Sequence, residues 1–213
     1  MYNQEELKKY LQYMNQESNP LFLAMEAYAA ENKIPIMEKE ALDVMLQLLQ
    51  LHNSKRILEI GTAIGYSALK MASALPDAHV VSLERDAARY EKAQEFRHQT
   101  SLSNQTTFYL TDALENELMF ENNQEFDVLF IDAAKGKNKE FLTKYLPLLT
   151  ENALVITDNV FFKGMVAGGV EIPKRFLPMV RKLRDYNEWL RNHEEFQTRF
   201  LAVGDGIAVS KKI

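Results

Sequence analysis

Apolar positions recur at helical spacing through the first fifty residues and change to short, unbroken runs after Arg56. "QEELKKYLQYM", "PLFLAMEAYAAENK" and "EKEALDVMLQLLQL" predict three helices ahead of the first strand. From Arg56 onward β-rich runs alternate with helical ones: "RILEIG", a helix from about Tyr66, "HVVSLE", a helix through "RYEKAQEFRHQ", "TTFYL" and "FDVLFID". A further helix, "KEFLTKYLPLL", leads to "ALVITDN". Strands that are apolar throughout and separated by helices indicate a parallel sheet covered on both faces. In such a sheet the crossovers are right-handed and ligands bind in a crevice at the strands' carboxyl ends. The tail differs, because "FQTRFLAV" and "GIAVSKK" are joined only by Gly204-Asp205-Gly206, a hairpin signal that places an antiparallel pair at one sheet edge.

This α/β pattern contains no internal repeat, low-complexity tract or Pro/Ser-rich linker. At 213 residues the chain is long enough for one sizeable core and short for two enzyme domains. A single domain over residues 1–213 is expected, with N-terminal helices in residues 1–52. The polar, amphipathic start has no signal-peptide core, and no window approaches the roughly 20 apolar residues of a membrane span, so a cytoplasmic protein with no membrane contact is expected.

Zero cysteines exclude a disulfide framework and thiolate metal sites, and His52, His79, His98 and His193 show no ligand spacing. Any metal should then be a hard, oxygen-seeking cation such as magnesium or calcium. The net charge is −5, yet the stretch from Lys163 to Arg184 carries six basic residues against Glu171 alone. A solvated helix face would explain that run, and so would an anionic partner.

Two places carry candidate chemistry. "LEIGTAIGYS" ends the first strand with Glu59, Gly61 and Gly65 and opens a helix near Ser67. Glycines there let the backbone approach a ligand, and the helix start offers unpaired N–H donors. A dinucleotide fingerprint fails at Ala63 and Tyr66, and a phosphate loop lacks its Gly-Lys-Ser/Thr. Glu84, closing the next strand, is placed like an acid that grips ribose hydroxyls, although a purely structural tight turn is the competing reading. The second place is "VLFIDAAKG" together with "TDN". Asp132, Asp158 and Asn159 close adjacent strands and supply two carboxylates and an amide oxygen, which suit octahedral magnesium. Helix capping by the two aspartates is the alternative. Lys135, three residues past Asp132, could take a proton as a base if partly desolvated near a cation.

Taken together, "EIGTAIGYS", "SLE", "FIDAAKG", "TDNV" and "VGDG" resemble the metal-dependent O-methyltransferase family that includes catechol and caffeoyl-CoA methyltransferases. The resemblance runs from about Pro35 to the C-terminus. It implies a Rossmann-like class I methyltransferase fold: a seven-stranded, mostly parallel sheet with an antiparallel C-terminal edge hairpin and helices on both faces. It also implies S-adenosylmethionine as cofactor and a divalent metal, Mg2+ or a relative, that chelates two adjacent substrate oxygens. By motif position Met37, Glu59, Gly61, Thr62, Gly65, Ser67, Glu84, Ala113 and Asp132 would form the cofactor site. Asp132, Asp158 and Asn159 would hold the metal, and Lys135 with Asp132 would be catalytic. A homodimer is expected on the same ground.

In detail "AYAAENKIPIMEKEAL", "TDNVFFKGMV", "YNEWLRNHEEFQT" and "VGDGIAVSKK" look most similar to bacterial enzymes that methylate 5-hydroxyuridine at the tRNA wobble position. That resemblance implies a tRNA anticodon loop as partner and turns residues 160–195 into a substrate-side segment. Lys163, Lys174, Arg175, Arg181 and Lys182 are then candidates for phosphates, and Phe161 or Phe162 for stacking on a splayed base, with core packing the alternative for both phenylalanines. A small-molecule catechol or caffeoyl-CoA-type O-methyltransferase is the second reading. A noncatalytic nucleoside- or tRNA-binding protein is the third, though its natural signature, loss of Asp132, Asp158 or Lys135, is missing.

Overall fold

A computed structural model of the chain describes residues 4–115, 125–133 and 136–213. Helices α1 (Gln4–Met14), α2 (Pro20–Asn32) and α3 (Lys39–His52) precede the first strand, in line with the pattern. Local chemistry sets the start of α2: the Asn19 side chain accepts from the Leu21 N–H at 2.9 Å and Pro20 opens the first turn.

Strands β1 (Arg56–Ile60), β2 (His79–Glu84), β3 (Thr106–Leu110), β4 (Phe126–Ile131) and β5 (Leu149–Thr157) are parallel. They are linked by α4 (Tyr66–Ala74), α5 (Ala87–His98) and α6 (Asn138–Tyr145). After α7 (Leu177–Arg191) come β6 (Phe196–Leu201) and β7 (Ile207–Lys212), and the sheet order is β3-β2-β1-β4-β5-β7-β6. β7 runs antiparallel to both β5 and β6, so the tail forms the expected hairpin with β7 inside and β6 at the edge.

The central strands are apolar throughout because helices cover both faces. Ile57, Val80, Val128 and Phe130 pack with α2, α3 and α4 on one side. Leu58, Ile60, Leu83, Leu129 and Ile131 pack with Phe141, Tyr145, Tyr186 and Leu190 of α6 and α7 on the other. Three boundaries differ from the pattern. Pro147 ends α6 early and leaves a short 3-10 turn, β5 begins at Leu149 rather than near Ala153, and the β6–β7 connection widens to residues 202–206. α7 is the element the pattern does not announce. Among the described residues no helix is long and apolar enough to cross a membrane.

Candidate active site

Register places the candidate residues in one row. Leu83, Ile60, Ile131 and Thr157 are successive partners across β2, β1, β4 and β5. The next residue in each strand or its exit is therefore Glu84, Gly61, Asp132 or Asp158. The ladder continues through them, with the Gly61, Asp132 and Asp158 N–H groups donating to Leu83, Ile60 and Ile131 at 2.9, 3.0 and 3.0 Å.

Gly61 is required at this crossing. Its φ is +105°, and a Cβ there would lie 2.1 Å from the Asp132 carbonyl oxygen. Only a residue without a side chain lets the β1 and β4 exits come this close. The turn thus joins the two places where the sequence carries chemistry.

A cavity of about 480 Å3 opens above the row. Gly61, Ala63 and Glu84 line one end, Asp112 and Ala113 the adjacent wall, and Asp132, Asp158 and Asn159 the far end, with Pro35 and Ile36 contributed by the segment before α3. Glu84 is buried. Its Oε2 accepts from the Ala63 N–H at 2.7 Å and its Oε1 from the Arg85 and Asp86 N–H groups at 3.0 and 2.9 Å. Those three donors fix the carboxylate's orientation and take three of its four lone-pair sites, leaving Oε2 with room to accept from a ligand hydroxyl.

Several residues assigned to the cofactor by motif sit behind the cavity and hold its floor. Glu59 is fully buried, and the hydroxyls of Ser67 and Ser82 both donate to its carboxylate. Because Ser82 donates to Glu59, the 2.6 Å contact between Thr62 and Ser82 is a donation from Thr62. This buried chain ties β1, β2, the glycine turn and the start of α4 together. Burial pushes the Glu59 carboxyl up to about 8, the two serine hydroxyls oppose the rise, and the negative charges of Asp132 and Glu84 add to it. Gly65 lies against Phe108 and Ala93, and Met37 is buried in the core next to the lining residue Ile36.

At the other end, Asp158 is buried and Asp132 half-buried. The Asn159 amide nitrogen donates to Asp158 Oδ2 at 2.6 Å, which leaves the amide oxygen as the group that Asn159 can offer a cation. Among the described residues no three His, Cys, Asp or Glu side chains cluster tightly enough to hold a metal alone. Asp132, Asp158 and the Asn159 amide oxygen line the same end of the cavity, and two carboxylates with one amide oxygen would suit a hard cation whose other positions go to water and substrate oxygens. Lys135 lies outside the described residues. Lys137, Arg85, Arg89 and Asp112 line the cavity without having been singled out by the sequence, although Arg85 and Asp112 directly flank the motif residues Glu84 and Ala113.

The substrate-side candidates divide. Lys163, Lys174, Arg175, Arg181 and Lys182 are exposed, and among the described residues none forms a salt bridge. Lys182 reaches the loop beyond Asp132, its Cδ standing 3.2 Å from where a Gly136 Cβ would be. Phe162 is buried against Val180, Leu183 and Phe176, whose ring centre lies 5.4 Å away. Phe161 is half-buried on Gly206 and near Phe200. In this conformation both phenylalanines pack internally.

A 3-2-1-4-5-7-6 sheet with a glycine turn and an acid at neighbouring strand ends defines the class I methyltransferase architecture. Comparison with known proteins narrows it. The O-methyltransferase family profile matches residues 13–213. A caffeoyl-CoA O-methyltransferase of Populus kitakamiensis is 30% identical over 187 residues, which cover 84% of this chain and 78% of that protein. A solved Staphylococcus aureus structure, provisionally named a caffeoyl-CoA O-methyltransferase, is 40% identical, with a TM-score of 0.88 over 97% of this chain and 99% of that one. The O-methyltransferase TomG of Streptomyces achromogenes, solved with S-adenosylmethionine, shares the fold at a TM-score of 0.81 and 23% identity, covering 100% of this chain and 99% of its own. The chain belongs to this O-methyltransferase family, and within it to the S-adenosylmethionine-dependent enzymes of the caffeoyl-CoA type.

Proposed function

We propose that the chain methylates one of two adjacent oxygens on its substrate with the help of a divalent cation, and that the substrate is 5-hydroxyuridine at the tRNA wobble position. The 5-hydroxyl of that base lies beside its 4-oxo group, which meets the requirement for adjacent oxygens. The observation that carries the reading is the row at the strand ends, where Glu84, Asp132, Asp158 and Asn159 line one cavity, an acid at one end and three oxygen-bearing side chains at the other.

In this reading Glu84 accepts a hydrogen bond from a ribose hydroxyl of the cofactor, and the Gly61 turn lets the backbone approach its methionine portion. Ala113, in the turn beside Asp112, offers the adenine a small apolar contact. Asp132, Asp158 and Asn159 would hold the cation, which when bound would polarise the substrate oxygens and lower the pKa of the hydroxyl. Lys135, three residues beyond Asp132, takes the proton. The donor's carbon–sulfur bond breaks toward sulfur as the oxygen–carbon bond forms, so the chain supplies alignment rather than a covalent intermediate.

The exposed basic residues from Lys163 to Lys182 favour a polyanionic substrate. The names of the relatives favour the second reading, a small catechol or caffeoyl-CoA-like substrate. Incubating the protein with S-adenosylmethionine, magnesium and tRNA carrying unmethylated 5-hydroxyuridine should give 5-methoxyuridine, and Asp132→Ala should abolish it. Turnover of catechols without any tRNA product would select the small-molecule reading. Full activity in Asp132→Ala would remove the metal from the mechanism.

A further inference from the structure

We propose that Asp205, in the turn between β6 and β7, is a positioning residue that fixes the loop carrying Asn159 and so sets the third ligand of the candidate metal site. The inference rests on the metal reading given above. The loop that leaves β5 is unusual in its backbone: Asn159, Phe162 and Lys163 all have positive φ, at 59°, 40° and 53°. Asn adopts this region readily, but for residues such as Phe162 and Lys163 it costs about 1–2 kcal/mol each and persists only where the surroundings over-determine it.

The surroundings that do so come from the turn. The Val160 N–H donates to the Gly206 carbonyl and the Phe161 N–H to the Asp205 carbonyl, both at 3.0 Å, and the Lys163 N–H donates to the Asp205 carboxylate. Val160, the residue after Asn159, is also gripped at its carbonyl by the Asn187 amide of α7 at 2.9 Å. The turn itself has little freedom. A Cβ on Gly206 would lie 2.2 Å from Phe161 Cδ2, and one on Gly204 would lie 2.9 Å from the Ala41 Cβ of α3. It is wedged between α3, which follows the lining residues Pro35 and Ile36, and the loop after β5. Asp205 holds that loop through its side chain as well as its backbone, and what the side chain holds is the left-handed Lys163. Without that acceptor the far end of the loop, at the left-handed Phe162 and Lys163, loses its counterweight, the loop keeps only the backbone bonds at Val160 and Phe161 and the Asn187 contact, and the placement of Asn159 loosens.

The test is direct Mn2+ binding to the free protein, followed by electron paramagnetic resonance. Asp205→Ala should weaken Mn2+ by up to about tenfold, the loss at the low end for a partner that bonds a ligand directly, since Asp205 acts on Asn159 through the loop. Asp205→Asn, which keeps an acceptor oxygen, should recover most of that loss. S-adenosylmethionine affinity, measured without metal, should match the wild type in both variants, because Gly61 follows β1 and Glu84 ends β2, away from this loop. If Asp205→Ala does not fold, Asp205→Ser, which keeps a shorter polar side chain at the turn, should give the same selective loss. Unchanged Mn2+ affinity in a folded variant would overturn the proposal, as would equal losses of Mn2+ and S-adenosylmethionine binding. A wild-type protein that binds no Mn2+ would overturn the metal reading itself.

Discussion

Glu59 shows how much one residue can hide behind a motif. Motif position makes it part of the cofactor site, and in the structure it is a fully buried acid that anchors Ser67 and Ser82 beneath the cavity floor. Burial raises its carboxyl from the ordinary 4.5 to about 8. Between those values the folded chain carries a proton that the unfolded chain has released, so this group's contribution to stability is full below 4.5 and falls as pH rises toward 8. The limiting slope for one such group is about 1.4 kcal/mol per pH unit. Urea unfolding at about pH 5.5 and about pH 8.5, either side of the raised value, should show Glu59→Gln gaining stability relative to wild type at the higher pH. A difference between the two proteins that does not change with pH would contradict a raised Glu59 carboxyl.

At the scale of elements the sheet was largely legible, because a strand buried on both faces must be apolar along its whole length. β1, β2, β3 and β4 fall where the runs lie, and the Gly-Asp-Gly tail announces the antiparallel pair. α7 was not, because Val180, Leu183, Tyr186 and Leu190 form a helical stripe diluted by charged neighbours. That burial resolves the basic run as the solvent side of a packed helix and the turn before it. It does not remove the run as a candidate for phosphates, since Lys174, Arg175, Arg181 and Lys182 remain exposed. Arg184 belongs to a different task, since its guanidinium donates to the carbonyls of Val166 and Met165 and staples the loop after β5. Replacing Lys174, Arg175, Arg181 and Lys182 together by alanine should raise KM for tRNA and leave S-adenosylmethionine affinity intact. The salt dependence should flatten by about 0.7 in log–log slope for each phosphate that the variant no longer neutralises. Unchanged tRNA kinetics would take these residues out of the substrate site.

For the whole molecule, the gathering of the candidate acids at one edge could be read from sequence because parallel topology forces successive strand exits there. Glu84, Asp132 and Asp158 needed nothing more than that rule. The supports could not be read, because hydrogen bonds such as that between Lys163 and Asp205 join loops 42 residues apart, and no local periodicity records which loops meet. The aromatic pair illustrates the same limit: Phe161 and Phe162 sit beside a metal-type motif, yet their rings are committed to Gly206 and to α7. The central claim is that the cavity, the oxygen donors and the basic segment together methylate a wobble nucleoside. Nucleoside mass spectrometry of tRNA from matched cells with and without this protein tests it most directly. 5-Methoxyuridine is expected in the first and 5-hydroxyuridine in its place in the second, and identical nucleoside profiles in the two would contradict the claim.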